Sequence, residues 1–341
     1  MANNLVLAKN YEALLDEVYQ KASVTADLTG DSSMMRAGTN VNEICYPQIS
    51  VSGLGDYDRN SGYTDGAVSL VWKTVAFNYD RGTKISVDTM DDEETFNIAF
   101  GKAGAELVRT KVAPEADAFT FATLAGLSGI SKATPATYSG AAEFLEALLE
   151  AKNKMDEDEV PEEGRILYAT PTLLNGIMAL DTTKSREVLG TYAIKKSVPQ
   201  SRFYTAIDLL DGKTSGEEAG HYKKSGTSYA KAAEGDSGAL KVVADTATPQ
   251  ANEIKLSSVT PCAAGYTPQV GDYVVEMSGK EINFMIIHKP AIIKFDKHIA
   301  NDVIPPNMNP SADSYILKYR KYGLVDAYQN KLAGIYLSHK A

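Results

Sequence analysis

Over residues 43–88 apolar and polar side chains alternate with a period of two, in runs broken by a stretch of turn formers. "EICYPQISVSGL" rises, "GDYDRNSGYTDG" supplies a tip and "AVSLVWKTVAFNYD" returns. That alternation predicts strands, and the Gly, Asp and Asn cluster between them predicts a hairpin. Val71, Val75, Phe77 and Tyr79 share one face of the returning run, while Lys73, Thr74 and Asn78 keep it partly wet. Two strands alone are marginally stable in water, so a ribbon this long is expected to lie on its own domain or on a neighbouring subunit.

Elsewhere the period changes to that of a helix. Tyr11, Leu14, Leu15, Val18 and Tyr19 predict a short helix over residues 10–26, followed by the polar linker "TGDSSMMRAGTN". Phe96, Ala99, Phe100, Ala103, Leu107 and Val108 form the stripe of the longest helical signal, with Asp91, Asp92, Glu93 and Glu94 at its dipole-favoured start. Pro114 falls inside it and predicts a kink or a break. "SGAAEFLEALLEAKNKMDEDEVPEEG" predicts an amphipathic helix with Phe144, Leu145, Leu148 and Leu149 inward. "RILYATPTLLNGIMAL" reads as a buried strand entering a helix, with Thr170 as N-cap and Pro171 as first residue. With "AIKKSVPQSRF" it makes a compact α/β unit.

Between residues 211 and 279 the composition shifts to Gly, Ser, Thr and Ala. "GKTSGEEAGHYKKSGTSYAKAAEGDSG" reads as loop, and "ALKVVAD", "EIKLSSV" and "DYVVEM" as short strands of an inserted, mostly β segment. "INFMIIHKPAIIKFDKHI" predicts two strands around Lys289 and Pro290, and the final thirty residues read mainly as strand. The fold class is therefore α+β.

Composition narrows the picture. The 341 residues are 44% hydrophobic and 23% charged, which is the balance of a globular chain. No apolar run is long enough to span a bilayer, and the first twenty residues lack the pattern of a secretory leader. Cys45 and Cys262 stand alone, so a disulfide framework is not expected. A net charge of −10 disfavours sequence-specific nucleic-acid binding through a broad basic face. It suits a container, whose wall must not grip its contents.

Catalytic and ligand motifs fail on inspection. "EGDSGA" echoes a serine-protease nucleophile loop around Ser237, yet the only upstream histidine is His221 in the same apparent loop. "DYDRNSGYTDGA" resembles a calcium loop but has Ser61 and Ala67 where glycine and a bidentate acid belong. Asp156, Glu157, Asp158, Glu159, Glu162 and Glu163 read as a hydrated acidic run, and His288 and His298 have no ligand-spaced neighbours. Gly53 and Gly55 lack the third glycine of a dinucleotide fingerprint, and "GKTSG" lacks the spacing of a phosphate loop. No catalytic, cofactor-binding or metal residue is assigned, and an enzyme is not expected.

The order of these segments resembles the major capsid proteins of tailed bacteriophages, the Hong Kong 97 fold, of the type found in phages and prophages of Gram-positive bacteria. The residues that carry the resemblance are "FNYDRGTKISVDTMDDEET" leading into "AGAELVRTKVAPEADAFTFA", then "RILYATPTLLNGIM", "VPQSRF", "INFMIIHKPAII" and "NKLAGIYLSHK". It implies an amino-terminal arm over 1–42, an extended loop over 43–80 and a peripheral domain over 81–137 and 286–341 with a spine helix at 92–125. It also implies an axial domain over 138–285 that carries the insertion at about 211–275. Tyr57, Asp58, Arg59, Tyr63 and Trp72 on the ribbon, with Glu94 and Arg109 on the spine, become inter-subunit contact candidates. The implied function is an icosahedral head shell around double-stranded DNA, built in the host cytoplasm from pentamers and hexamers of this chain. A portal, and a separate scaffold or decoration protein, would be the further partners, with no membrane and no cofactor. The cross-linking lysine of some family members has no counterpart, because residues 53–69 contain none. Two alternatives are an encapsulin-type nanocompartment and a soluble hydrolase using the acidic run or the "GDSG" loop.

Overall fold

A computed structural model describes residues 23–30, 36–37, 43–57, 59, 63, 65–94, 104–180, 182–213, 220–226, 228–236, 239–259 and 267–340. Along the chain, β1 (Arg36–Ala37) is followed by the hairpin strands β2 (Glu43–Val51) and β3 (Val68–Ala76). β4 (Tyr79–Asp88) then runs into α1 (Thr89–Glu94). From residue 104 the described chain is helical and passes through a wide π-wound turn, Val108–Val112, into α2 (Ala113–Gly126). β5 (Ser131–Lys132), α3 (Ala141–Glu157), β6 (Arg165–Ala169), α4 (Pro171–Leu180), α5 (Thr183–Gly190) and β7 (Ile194–Ser197) follow. The next strands are short: β8 (Ile207–Leu209), β9 (Tyr222–Lys224), β10 (Ser228–Ala232), β11 (Ala239–Val243), β12 (Glu253–Lys255) and β13 (Tyr273–Met277). The chain closes with β14 (Ile282–His288), β15 (Ile292–Ile304), β16 (Ser314–Ala327) and β17 (Ile335–His339).

These elements cluster into two compact units. The first holds Leu28–Phe100 and Ile292–Asp326. Its sheets are β1-β2-β3 and β15-β16-β4. β4 and β16 pair antiparallel over ten residues, from Ser314 opposite Asp88 to Gly323 opposite Tyr79.

The second unit holds Gly101–Ala291 and Ala327–Ala341, with Ala8–Asp27. Its sheet has the order β5-β17-β14-β6-β7. β6 and β7 are parallel, as the helical crossover between them requires, whereas β14 runs antiparallel to both β6 and β17. Phe144, Leu148 and Met155 of α3, Leu174 and Ile177 of α4 and Val188 of α5 pack on Leu167, Ala169, Phe284 and Ile286 of one sheet face. Tyr168 points the other way, where Phe121 of α2 meets it edge-on at 5.2 Å. The α/β unit is thus three layers around one sheet.

Near the start of the described chain, Asp117 of α2 gathers residues 23–25. Its buried carboxylate accepts from Ser23 Oγ at 2.7 Å, Val24 N at 3.0 Å, Thr25 N at 3.2 Å and Thr25 Oγ1 at 2.7 Å. Arg202 Nη1 donates to the same group at 2.9 Å. Lys196 pairs with Asp27 and donates to the Val24 carbonyl at 3.0 Å.

Several sequence expectations need correction. Pro114 does not split the helix, which continues through it to Gly126. The backbone is right-handed α at both Leu107 and Ala113, and the widened turn before the proline absorbs its missing N–H and ring. The expected arm helix lies outside the described residues as far as residue 22, beyond which only Ala26–Leu28 forms a 3-10 turn. The linker that follows contributes β1, which pairs with Ile44 and Cys45. The stretch read as loop before residue 239 contains β9 and β10, whose Tyr and Lys residues are held by backbone pairing to β8 and β13. Leu149 is only partly buried, while Ala151 and Met155 complete the inward face of α3.

Candidate assembly surface

The ribbon begins from a fixed base. Phe77 stacks on Tyr322 with ring centroids 4.7 Å apart, and Asn78 substitutes for a missing strand. Its Nδ2 donates to the Val325 carbonyl at 2.8 Å while its Oδ1 accepts from Val325 N at 3.1 Å, just past the point where β16 loses its pairing to β4. Phe77 and Tyr79 therefore belong to this base and to β4, and not to the ribbon face on which the period-two reading placed them. The polar Asn78 interrupts the strand to make the corner.

From that base β2 and β3 pair in unbroken register from Glu43 opposite Ala76 to Val51 opposite Val68. Nine residues of strand extend about 30 Å. Ile44 and Tyr46, near the base, are buried. Farther out the two faces differ. One carries Gln48 opposite Val71 and Ser50 opposite Ser69. The other carries three successive apolar pairs, Pro47 with Trp72, Ile49 with Leu70 and Val51 with Val68. Ile49, Leu70, Val51 and Val68 are each more than half exposed, Trp72 is 45% exposed, and Leu54 beyond them is completely so. Among the described residues, half of the large apolar side chains that stand exposed lie within residues 49–72. A contiguous apolar strip of this kind marks an interaction surface. Each such side chain contributes about 1.5–3 kcal/mol when it is buried.

Val71 and Val75 do share a face, as the alternation predicts, but the exposed strip is on the other one. On this strand it is formed by Val68, Leu70 and Trp72. Of the contact candidates, Tyr57 and Tyr63 sit at the tip with ring centroids 4.8 Å apart, both exposed, and Arg59 is exposed beside them. Asp58 lies outside the described residues. Trp72 lies mid-ribbon opposite Pro47. Glu94 ends α1, and Arg109 pairs with Glu106 on its own helix. Ile49, Val51, Leu54, Val68 and Leu70 were missed, although their alternation with Ser50, Ser52 and Ser69 is a sequence signal for one greasy face.

The motifs weighed for chemistry are dispersed. His221 Nε2 lies 2.7 Å from Lys111 Nζ, and Ser237 lies outside the described residues. In the acidic run, Asp156 pairs with Arg165, Asp158 with Lys154 and Glu162 with Lys152. Among the described residues no group of three or more His, Cys, Asp and Glu is arranged to hold a metal, and no helix is long and apolar enough to cross a membrane. Cys45 is a free thiol 3.6 Å from Thr74 Oγ1.

No family model and no curated protein sequence matches the chain. Solved structures do. The capsid structure of the cyanophage P-SCSP1u aligns over 98% of this chain and 93% of its own, with a TM-score of 0.54 at 12% identity. The mature capsid of bacteriophage PhiM1 aligns over 98% and 92%, again at 0.54 and 12%. A structure from Mycobacterium phage Che8 aligns over 99% and 98% with a TM-score of 0.51 at 12% identity. Nearly complete coverage in both directions at so low an identity places the likeness in the backbone, and this chain has the mixed helix-and-sheet, Hong Kong 97-type fold of phage capsid structures.

Proposed function

We propose that this protein is the structural subunit of an icosahedral phage head, self-assembling into a shell around double-stranded DNA without catalysing a reaction. The observation that carries the reading is the apolar strip of Pro47, Trp72, Ile49, Leu70, Val51 and Val68, held out on a rigidly based ribbon. A neighbouring copy supplies the cover that the strip lacks. Because each copy gives a ribbon and receives one, the contacts are head to tail and close into rings and shells. Many modest contacts per subunit then act together. The fold shared with phage capsid structures supports the same reading. On it the protein resides in the virion, having assembled in the host cytoplasm. Its partners are copies of itself in pentamers and hexamers, a portal, and a separate scaffold or decoration protein. The packaged DNA is enclosed without a sequence-specific grip.

The test is electron microscopy and sedimentation of the full-length protein beside an Ile49→Ser, Leu70→Ser variant. Both side chains are exposed, so the variant folds. The wild type is expected to form megadalton shells and the variant to remain as free subunits. Shells from the variant at wild-type yield would overturn the reading.

A further inference from the structure

Where β5 and β17, at one edge of the five-stranded sheet, meet α3, the second unit holds an open groove of about 560 Å³. Its helical wall carries Glu146, Glu150 and Glu157, with Asn153 between the last two. One turn separates the first pair and two turns the second, so the carboxylates line one face of α3 over roughly 16 Å. None of the three makes a hydrogen bond or ion pair with a described residue. Their placing is unfavourable as it stands. Like charges one turn apart repel, and Glu157 is the last residue of α3, at the negative end of the helix dipole. Of the two lysines lining the groove, Lys154 is taken by Asp158 at 2.6 Å, which leaves Lys132 of β5 against three carboxylates. An independent sign comes from β17. Tyr336 is only 3% exposed and its ring stacks on Phe284, yet its side chain lines the groove. Its hydroxyl has no hydrogen-bond partner among the described residues, whereas that of Tyr138, which packs on the same Phe284, is matched with Ser338 Oγ at 2.9 Å. Burial, then the nearby Glu150 and Tyr138, push the Tyr336 hydroxyl up to about 12, so it keeps its proton and leaves its oxygen as an acceptor.

We propose that this groove binds a linear polyamine, a chain of ammonium groups joined by short methylene runs. A single divalent cation does not suit the spacing. Carboxylates one and two turns apart do not converge on one point, and no group of three or more His, Cys, Asp and Glu among the described residues is arranged to hold a metal. A string of charges does suit it. Ammonium groups meet Glu146, Glu150 and Glu157 in turn, the Asn153 and Tyr336 oxygens accept further N–H groups, and the methylenes lie on Leu149. A lysine-rich peptide is the weaker candidate, because an extended backbone sends its side chains to alternate sides and offers the groove only every second charge. The proposal is independent of the shell reading. Binding clasps α3 to the outer strands of its own sheet within one chain, assembled or not.

The experiment is a calorimetric titration of the full-length protein with spermidine at about 0.15 M salt, where loose charge attraction is largely screened. The wild type is expected to take up about one equivalent per chain, and its thermal midpoint to rise with ligand concentration. Glu150→Gln with Glu157→Gln, both exposed and so replaceable without unfolding, is expected to weaken binding about tenfold or more. Tyr336→Phe keeps the ring and its stacking and is expected to weaken binding about threefold, an effect that charge attraction alone would not produce. Butylamine and magnesium ion at equal ionic strength should give no saturable heat. No saturable binding by the wild type, wild-type affinity in the double glutamate variant, or magnesium ion competing as well as spermidine overturns the proposal. Trilysine that binds more tightly than spermidine, and loses that binding in the same variant, assigns the groove to a peptide and overturns it too. Failure of the protein to form shells bears on the shell reading alone.

Discussion

Asp117 and Arg202, 85 residues apart in sequence, form an ion pair with both side chains shut off from solvent. The pair ties α2 to the segment after β7, and the same carboxylate holds residues 23–25 through four further hydrogen bonds. Asp117→Ala takes this carboxylate away from the guanidinium and from the four backbone or hydroxyl donors around it. We expect a loss of about 3–5 kcal/mol in denaturant unfolding of the free subunit. Adding Arg202→Met to that change removes the buried cation and recovers part of the loss, and limited proteolysis near residue 25 reports whether residues 23–25 have come away.

Gly82 faces Arg320 across the β4–β16 ladder, and a methyl group there would lie 2.9 Å from the Tyr319 carbonyl. The contact is with backbone in mid-sheet, so it cannot swing aside. Gly82→Ala is expected to cost about 1–3 kcal/mol, measured as a lower denaturant midpoint with an unchanged slope.

How much of this was legible in the sequence differs from element to element. The apolar run of β6 and the Thr170–Pro171 boundary located the strand and the start of α4 to the residue, because local chemistry decides both. The ribbon's strands and tip were readable from alternation, and the serines between Ile49, Val51, Val68 and Leu70 marked its greasy face; that this face is left uncovered is decided by the base. β9 and β10 were hidden because "HYKK" and "SYAKA" are held by pairing partners distant in sequence.

His288 lies buried beside Gly164, and burial, aided by nearby Arg165 and Lys331, holds its pKa below the ordinary 6.5; only its hydrogen bond to the Glu163 backbone opposes this. As pH falls through about 6.5 the unfolded chain takes up the proton first, so stability is lost from there down to the depressed folded value. It is fully present above that window. Unfolding free energies measured between about pH 7.5 and about pH 5 should decline more steeply for the wild type than for His288→Gln.

The β-rich segment 226–278 has its two ends side by side. Gly279 N donates to the Ser225 carbonyl at 3.1 Å, and a side chain at Gly279 would meet the Ala206 carbonyl at 2.5 Å. Beyond that pinch Tyr229, Val242, Val259 and Val274 make a small core of their own. Replacing residues 226–278 with a short Gly-Ser linker should change the unfolding free energy of the remaining core by about 1 kcal/mol or less. A collapse of its thermal transition would show that the two cores are interdependent.

The outer strand of the ribbon, β3, is long and greasy, and among the described residues one row of its backbone donors and acceptors faces no other strand of its sheet. Such an edge is a template for indiscriminate strand pairing. Recombinant production is therefore expected to compete with inclusion-body formation, and on the shell reading soluble yield is set by how fast assembly draws down newly made chains. Slower synthesis at lower temperature, or a lysine placed at Ser69, should raise recovery without touching the interior of either unit.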